Sequence, residues 1–557
     1  MIAVDDESFM VLGIDRWDVA PADLIPERRL ELQLHVARLY RPPAEAAERS
    51  PKRFVPVIRF PLMQSCSGCN RLDYHWLLSA DDNNACGHCD RALVPSRFVV
   101  ACEKGHIEDF PYSRWAHRGR EPEGEHILSL STSGSSASLR DLMVTCSCKA
   151  ERSLEGAFSR HELGEIARCQ GKRPWLGDRE ECGGSLRTVQ RGASNVWFSS
   201  VRSALSIPPW SDGVFQLIER FWLFLRSAKD PAMLENFLIG MGPALTAHGY
   251  DIQELVRAIL ARQAEEAGDA RTADQLRRQE YEALLAGREE RGSNDQFVAT
   301  ASAAPKELEA YFDRVASVPR LREVRVLEGF SRLHPIASAE GVSTDLSPLA
   351  KGHPGWLPAI EVRGEGVFLR FNRHRLDEWE SHPEIARRAA SVTQRLQWLE
   401  EKSGREPNRV VAPRLLLIHS FAHALIEELS LDAGYPAASL RERLFVSDEM
   451  CGALVYTATS DAAGSLGGLT AQAAPHRLVG LIRQAIQRAA WCSADPVCIE
   501  SMATGTNGLN NAACHACSLL PETSCEERNE FLDRATLVGT EEHPDIGYFS
   551  LLLRGGP

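Results

Sequence analysis

Fifteen cysteines are the residues best equipped for chemistry in this 557-residue chain. Nine lie between Cys66 and Cys182 and six between Cys451 and Cys525, with none between those groups. The chain begins without a basic, apolar leader, which points to a cytoplasmic location, and there short-spaced cysteines signal metal rather than disulfides. Cys66-x2-Cys69 and Cys86-x2-Cys89 are two knuckle pairs separated by sixteen residues. Backbone N–H groups in such turns stabilise thiolates, and four thiolates close a tetrahedral shell on Zn²⁺. A closed shell has no position for water, so this site is expected to be structural. A second set is Cys146-x-Cys148 with Cys169 and Cys182, for which Cys102 and His106 could be substitute ligands, with a plain core residue the preferred reading of Cys102. A third is Cys498, the knuckle Cys514-His515-Ala516-Cys517, and Cys525, with Cys492 as a spare that could replace Cys498. Three structural Zn²⁺ ions are therefore expected.

The motifs of self-contained enzymes are missing. There is no G-x4-G-K-[ST] phosphate loop, no G-x-G-x-x-G after a strand, no G-x-S-x-G and no H-E-x-x-H, so the chain reads as lacking its own ATP chemistry. His419 and His423 share a helix face at i, i+4, but Ser420 stands where a zinc protease needs its general-base Glu. A hydrogen-bonded structural pair is the preferred reading, and a metal-dependent nuclease or hydrolase centred on His419, His423 and Asp461 is the alternative. The loop from Asp461 to Gly468 could turn backbone N–H groups toward a phosphate through Ser465, Gly467 and Gly468, although it lacks a lysine.

The net charge of −13 leaves DNA contact to local patches, because counterion release needs Lys or Arg beside phosphates. Two candidates are Arg320, Arg322, Arg325 and Arg332, and Arg370, Arg373 and Arg375, interleaved with Phe330, Phe368 and Phe371 for base stacking. A solvated sheet face is the competing reading.

The elements that must position these residues follow from periodicity. A chain that is 44% hydrophobic and 25% charged is globular, and its length exceeds one core. No apolar run is long enough to span a membrane. The expected class is α+β and multi-domain, with small zinc-ribbon-like modules in the N-terminal third, a helical middle, and a mixed α/β C-terminal domain with a zinc site. The expected parts are an N-terminal segment at 1–60 with a helix near Arg28 to Leu39, and a double zinc-binding region at 61–200. Beyond these lie a helical domain at 201–315, a β-rich segment at 316–405 and a zinc-binding domain at 406–557. Trp356 to Val362 and Val367 to Leu369 read as a hairpin joined through Gly364 and Gly366. Leu415, Ile418, Ala422, Leu425, Ile426 and Leu429 mark a mostly buried helix, Leu454 to Tyr456 a buried strand, and residues 476–491 a return to helix.

Several stretches together resemble a known family. They include Cys66-Ser-Gly-Cys69, Arg97 through Cys102-Glu-Lys-Gly-His106 to Pro111, Arg191-Gly-Ala-Ser-Asn195, Trp356-Leu-Pro-Ala-Ile-Glu-Val, His419-Ser-Phe-Ala-His423, Ser460 to Gly468 and Ala513-Cys-His-Ala-Cys517. Over nearly its full length the chain resembles the DrmB family, accessory subunits of the DISARM anti-phage defence system. From about 410 to 545 it is similar to the zinc-binding domain that ends a group of superfamily-two DNA-repair helicases. The resemblance implies one zinc on Cys498, Cys514, Cys517 and Cys525. It also implies a separate helicase subunit, DrmA, that carries the ATP site and pairs with this chain on DNA to restrict phage genomes. A scaffold that binds protein and no nucleic acid remains an alternative.

Overall fold

The computed structural model describes residues 2–4, 7–44, 53–81, 83–120, 122–133, 138–228, 230–241, 251–266, 272–290, 295–335, 346–402, 406–407, 409–432, 434–457 and 468–553. Helices and antiparallel sheets alternate, as the mixed composition leads one to expect. The chain divides into two compact units, each drawn from separated stretches. The first holds Met1–Pro26, Leu30–Ser203 and Arg325–Ile360; the second holds Glu27–Arg29, Ala204–Val324 and Glu361–Pro557. Five consecutive segments are thus not the units of the structure, because the strands Phe312–Ser331 and Trp356–Phe371 each supply residues to both.

In the first unit, short strands and knuckle turns dominate, where Gly, Pro and Cys leave no room for a helical period. A six-stranded sheet runs Glu151–Ser153, Leu142–Cys146, Leu128–Thr132, Arg71–Tyr74, Met63–Cys66, Leu93–Pro95, antiparallel throughout. A second sheet sets Phe98–Ala101 between Arg187–Gln190 and Ile107–Asp109. All four residues of Phe98–Ala101 are buried, so this strand reads as an unbroken apolar run rather than an alternation.

The second unit carries the longer elements. Helices Gly213–Leu225, Pro231–Met241 and Ile252–Glu266 share a core around Trp222, Leu234 and Ile259. The helix Ala273–Ala286 opens with a reciprocal capping box between Thr272 and Gln275. In the sheet, Phe312–Ser331 neighbours Trp356–Phe371, which pairs with Cys451–Thr457 and then Leu440–Val446. Against it lies the helix Pro413–Asp432, on which every residue from Arg414 to Ile426 is buried. A helix apolar all round belongs in a core.

The expected hairpin at Gly364 and Gly366 is instead a single strand, Trp356–Phe371. A Cβ on Gly364 would lie 1.9 Å from the Thr457 carbonyl oxygen, and one on Gly366 2.9 Å from Leu454, Tyr456 and Val455 atoms of the neighbouring strand. These glycines permit close approach of two backbones rather than a turn. The expected helix near Arg28 covers Arg28–Gln33 and gives way to the strand Arg38–Tyr40.

Candidate metal centres

Five groups of four side chains bring their ligand atoms within 4.8 Å of one another among the described residues. The first is Cys66, Cys69, Cys86 and Cys89, grouped as the sequence suggests. Cys66 ends a strand, and the chain turns through Ser67–Asn70 before re-entering the sheet at Arg71. Asn70 and Asp90, each just past the second cysteine of a knuckle, have φ of 61° and 55°, a left-handed conformation that Asn and Asp tolerate. Their N–H groups donate to the Cys66 and Cys86 carbonyls at 3.1 and 2.7 Å, closing both turns. The Cys66–Cys89 and Cys69–Cys86 sulfur separations are 3.3 and 3.8 Å, against about 3.8 Å for sulfurs tetrahedrally placed on zinc. Burial raises the Cys66 thiol, but N–H groups of Cys69 and Gly68 and the neighbouring thiols outweigh it and bring it down to about 7.

The second expected set, Cys146, Cys148, Cys169 and Cys182, is not brought together: the structure splits it in two and completes each half with other residues. Cys169 and Cys182 join Cys102 and His106. Gly105, at φ 83°, turns the Cys102–His106 loop so that His106 Nδ1 lies 3.3 Å from Cys102 Sγ and 3.5 Å from Cys169 Sγ. Its other nitrogen donates to the Glu180 carboxylate at 2.7 Å, the outer partner that fixes a ligating imidazole. Cys102 is held down to about 5, first by the Cys169 thiol and, against burial, by the His106 backbone N–H and ring.

Cys146 and Cys148 instead meet His117 and His126. His117 donates from Nδ1 to the Ser113 carbonyl at 2.7 Å and presents Nε2 to Cys148 Sγ at 3.3 Å. His126 donates from Nε2 to the Glu123 carbonyl at 2.9 Å and presents Nδ1 to Cys146 Sγ at 3.2 Å. In both, the remote nitrogen holds the proton and the near one is free to ligate. The Ala150 N–H, then the His117 ring, hold the Cys148 thiol down to about 6.

At the C-terminal end the fourth ligand is Cys492 rather than Cys525. Cys492 and Cys498 flank a turn after the helix Pro475–Ala489, and Cys514 and Cys517 form the facing knuckle. Sulfur separations are 3.5 Å for Cys492–Cys514 and 3.7 Å for both Cys498–Cys517 and Cys514–Cys517. As with Ala150 and Cys148, an N–H two residues beyond a cysteine donates to its sulfur in the other tetrads: Gly68 to Cys66, Gly171 to Cys169, and Ala494 and Ala516 to Cys492 and Cys514, at 3.3–3.4 Å. Cys525 lies instead with His419, His423 and Glu442 in the fifth group. Cys451 is a core residue, its thiol facing the Phe371 carbonyl at 3.6 Å. The donor sets suit Zn²⁺, which takes thiolate and imidazole in tetrahedral shells.

Of the arginines singled out for DNA, Arg322 and Arg332 are buried, whereas Arg320 and Arg373 form ion pairs at the surface. Arg322 is buried, donating to Glu361 at 2.9 Å and to the Ser206 hydroxyl at 2.8 Å, with Glu27 at 3.7 Å. Arg332 is buried and donates to the Gly105 and Val196 carbonyls. Arg320 pairs with Glu290, Arg370 with Asp313 and Arg373 with Asp377. Arg375 donates to the Tyr548 carbonyl and lies over the Tyr311 and Tyr548 rings. Arg325 is half-buried, and Phe330, Phe368 and Phe371 are core residues, unavailable for base stacking.

Of the anion-loop residues, Asp461, Ser465 and Gly467 lie outside the described residues, while Gly468 opens the short helix Gly468–Ala471. The next N–H groups, of Leu469 and Thr470, already donate to the buried Glu365 carboxylate at 3.1 and 3.2 Å, with the Thr470 hydroxyl at 2.8 Å. Glu365 thus engages the N–H groups that directly follow Gly468. His419 and His423 of the hydrolase alternative gather with Glu442 and Cys525, all four buried, while its third residue, Asp461, lies outside the described residues.

Comparison with known proteins agrees with this division. Residues 1–198 match a domain of unknown function, DUF8724, and span the three N-terminal tetrads. Residues 421–518 match the MrfA Zn-binding domain, a span that contains Cys492, Cys498, Cys514 and Cys517 and excludes Cys525. The chain is 33% identical over 522 residues to the DISARM protein DrmB of Bacillus paralicheniformis, covering 90% of this chain and 91% of that one. With that similarity running almost end to end, the chain belongs to the DrmB family.

Proposed function

We propose that this chain is a non-catalytic, zinc-held accessory subunit of a DISARM-like anti-phage defence complex. In this reading it works beside a separate DrmA-like helicase, helps that motor hold DNA and tunes its ATP turnover. The observation that carries it is the near full-length similarity to a DISARM protein, joined to a C-terminal MrfA Zn-binding domain. The absence of nucleotide-binding motifs from the sequence fits a motor supplied by another chain. The tetrads are closed shells, suited to shaping a platform rather than activating water. No helix among the described residues is long and apolar enough to cross a membrane.

The test is co-purification with a DrmA-like helicase, followed by ATPase assays on forked DNA with and without this chain. A stable complex and at least a twofold change in DNA-dependent turnover are expected. No complex and unchanged turnover, or ATP hydrolysis by this chain alone, would contradict the reading.

A further inference from the structure

The group formed by His419, His423, Glu442 and Cys525 is set apart from the other four by depth. Three of the residues are 0% exposed and Cys525 is 5% exposed. The two histidines project from one face of the helix Pro413–Asp432, Glu442 comes from the strand Leu440–Val446, and Cys525 comes from the C-terminal segment.

Two readings compete. In a metal-free ion-pair network, a charged imidazole donating to a carboxylate closes to about 2.7–2.9 Å. Here His419 Nε2 lies 3.1 Å from Glu442 Oε1 and 3.1 Å from Cys525 Sγ, and His423 Nε2 lies 3.6 Å from Glu442 Oε1. Donors on one tetrahedral zinc ion lie about 3.4 Å apart for nitrogen and oxygen and about 3.6 Å apart for nitrogen and sulfur. The nitrogen–oxygen separations of 3.1 and 3.6 Å straddle the zinc value and exceed the length of a charge-assisted hydrogen bond, while the nitrogen–sulfur separation of 3.1 Å is shorter than its zinc value. Among the described residues His423 Nε2 and Glu442 Oε2 have no hydrogen-bond partner although both are buried, a cost of about 1–3 kcal/mol or more per orphaned group. His423 donates its other nitrogen to the Ser518 carbonyl at 2.7 Å, the arrangement that turns His106, His117 and His126 toward their sulfurs.

We infer that His419, His423, Glu442 and Cys525 form a fifth metal site that takes a structural Zn²⁺ in the core of the second unit. One carboxylate and one thiolate balance the two positive charges of the ion, so the buried assembly is neutral. Thiolate and imidazole favour zinc over Mg²⁺ or Ca²⁺, and four protein ligands leave no position for water. Ser518 follows Cys517 directly, so its carbonyl links this site to the neighbouring knuckle.

The deciding experiment is diffraction from crystals of the full wild-type chain at the zinc absorption edge. A peak enclosed by the four side chains, comparable in height to that at the Cys492 tetrad, is expected. No peak there, in crystals that show one at the Cys492 tetrad, overturns the site. As a second arm, full-length Glu442→Gln and His419→Asn chains should each lose one zinc equivalent relative to wild type while keeping the rest. Unchanged zinc in a folded variant overturns the site as well. Neither arm depends on the helicase partnership.

Discussion

Cys492 shows how one side chain decides a metal shell. It supplies the fourth thiolate beside Cys498, Cys514 and Cys517, and its own sulfur accepts the Ala494 N–H. Structural zinc contributes about 10–16 kcal/mol of apparent binding free energy at neutral pH in small zinc modules. Cys492→Ser is therefore expected to lose one zinc equivalent and yield largely aggregated protein, measured by metal analysis and size-exclusion chromatography. Arg322 makes the opposite case. Its guanidinium lies buried among Glu27, Glu361 and Ser206, and removing one partner of a buried ion pair costs about 3–5 kcal/mol. Arg322→Ala should lower stability by that amount in denaturant unfolding while leaving the salt slope of any DNA binding unchanged. Glu427 offers a pH test. Burial, with Glu428 adding to it against Arg488, pushes its carboxyl up to about 7 from 4.5. A raised pKa means that its contribution is complete below about 4.5 and is lost as pH rises through about 7. Glu427→Gln should thus be stabilising by up to about 3 kcal/mol at pH 8 and neutral at pH 4, read from unfolding curves at the two pH values. Ligand identity was legible only where ligands are close in sequence. The paired C-x2-C knuckles declare themselves, whereas His117 and His126 carry no spacing rule that ties them to Cys146 and Cys148. Cys102 and His106, at i, i+4, gave the usable hint of a different grouping.

Among the elements, the helix Pro413–Asp432 was readable because its apolar residues run on all sides, and the buried strand Cys451–Thr457 because it is continuously apolar. The strand Trp356–Phe371 was misread because Gly364 and Gly366 signal a turn locally, and only the neighbouring strand shows why a side chain is excluded. Gly364→Val tests this: its side chain would meet the Thr457 carbonyl, and the resulting overpacking costs about 1–3 kcal/mol. A fall in melting temperature is expected; unchanged stability would show that the two strands can separate freely at this point. Arg322 was misread for a related reason. It looks like part of a charged face until Glu27 and Glu361, contributed by distant segments, are in place around it.

At the scale of the whole molecule, five ligand groups among the described residues imply a protein whose fold is assembled by metal in both units. Each unit gathers stretches far apart in sequence, so the five consecutive domains suggested by composition could not show which cysteines meet. The accessory-subunit reading and the scaffold reading share this requirement, since either needs a rigid platform before it meets a partner. The measurement that bears on it most directly is the zinc content of the purified full-length chain together with its count of reactive thiols under native conditions. Four zinc ions on the Cys/His tetrads and a fifth in the buried group are expected, with the ligand thiols protected until a chelator and denaturant are added. Soluble, folded protein with no bound zinc and freely reactive thiols would contradict the account.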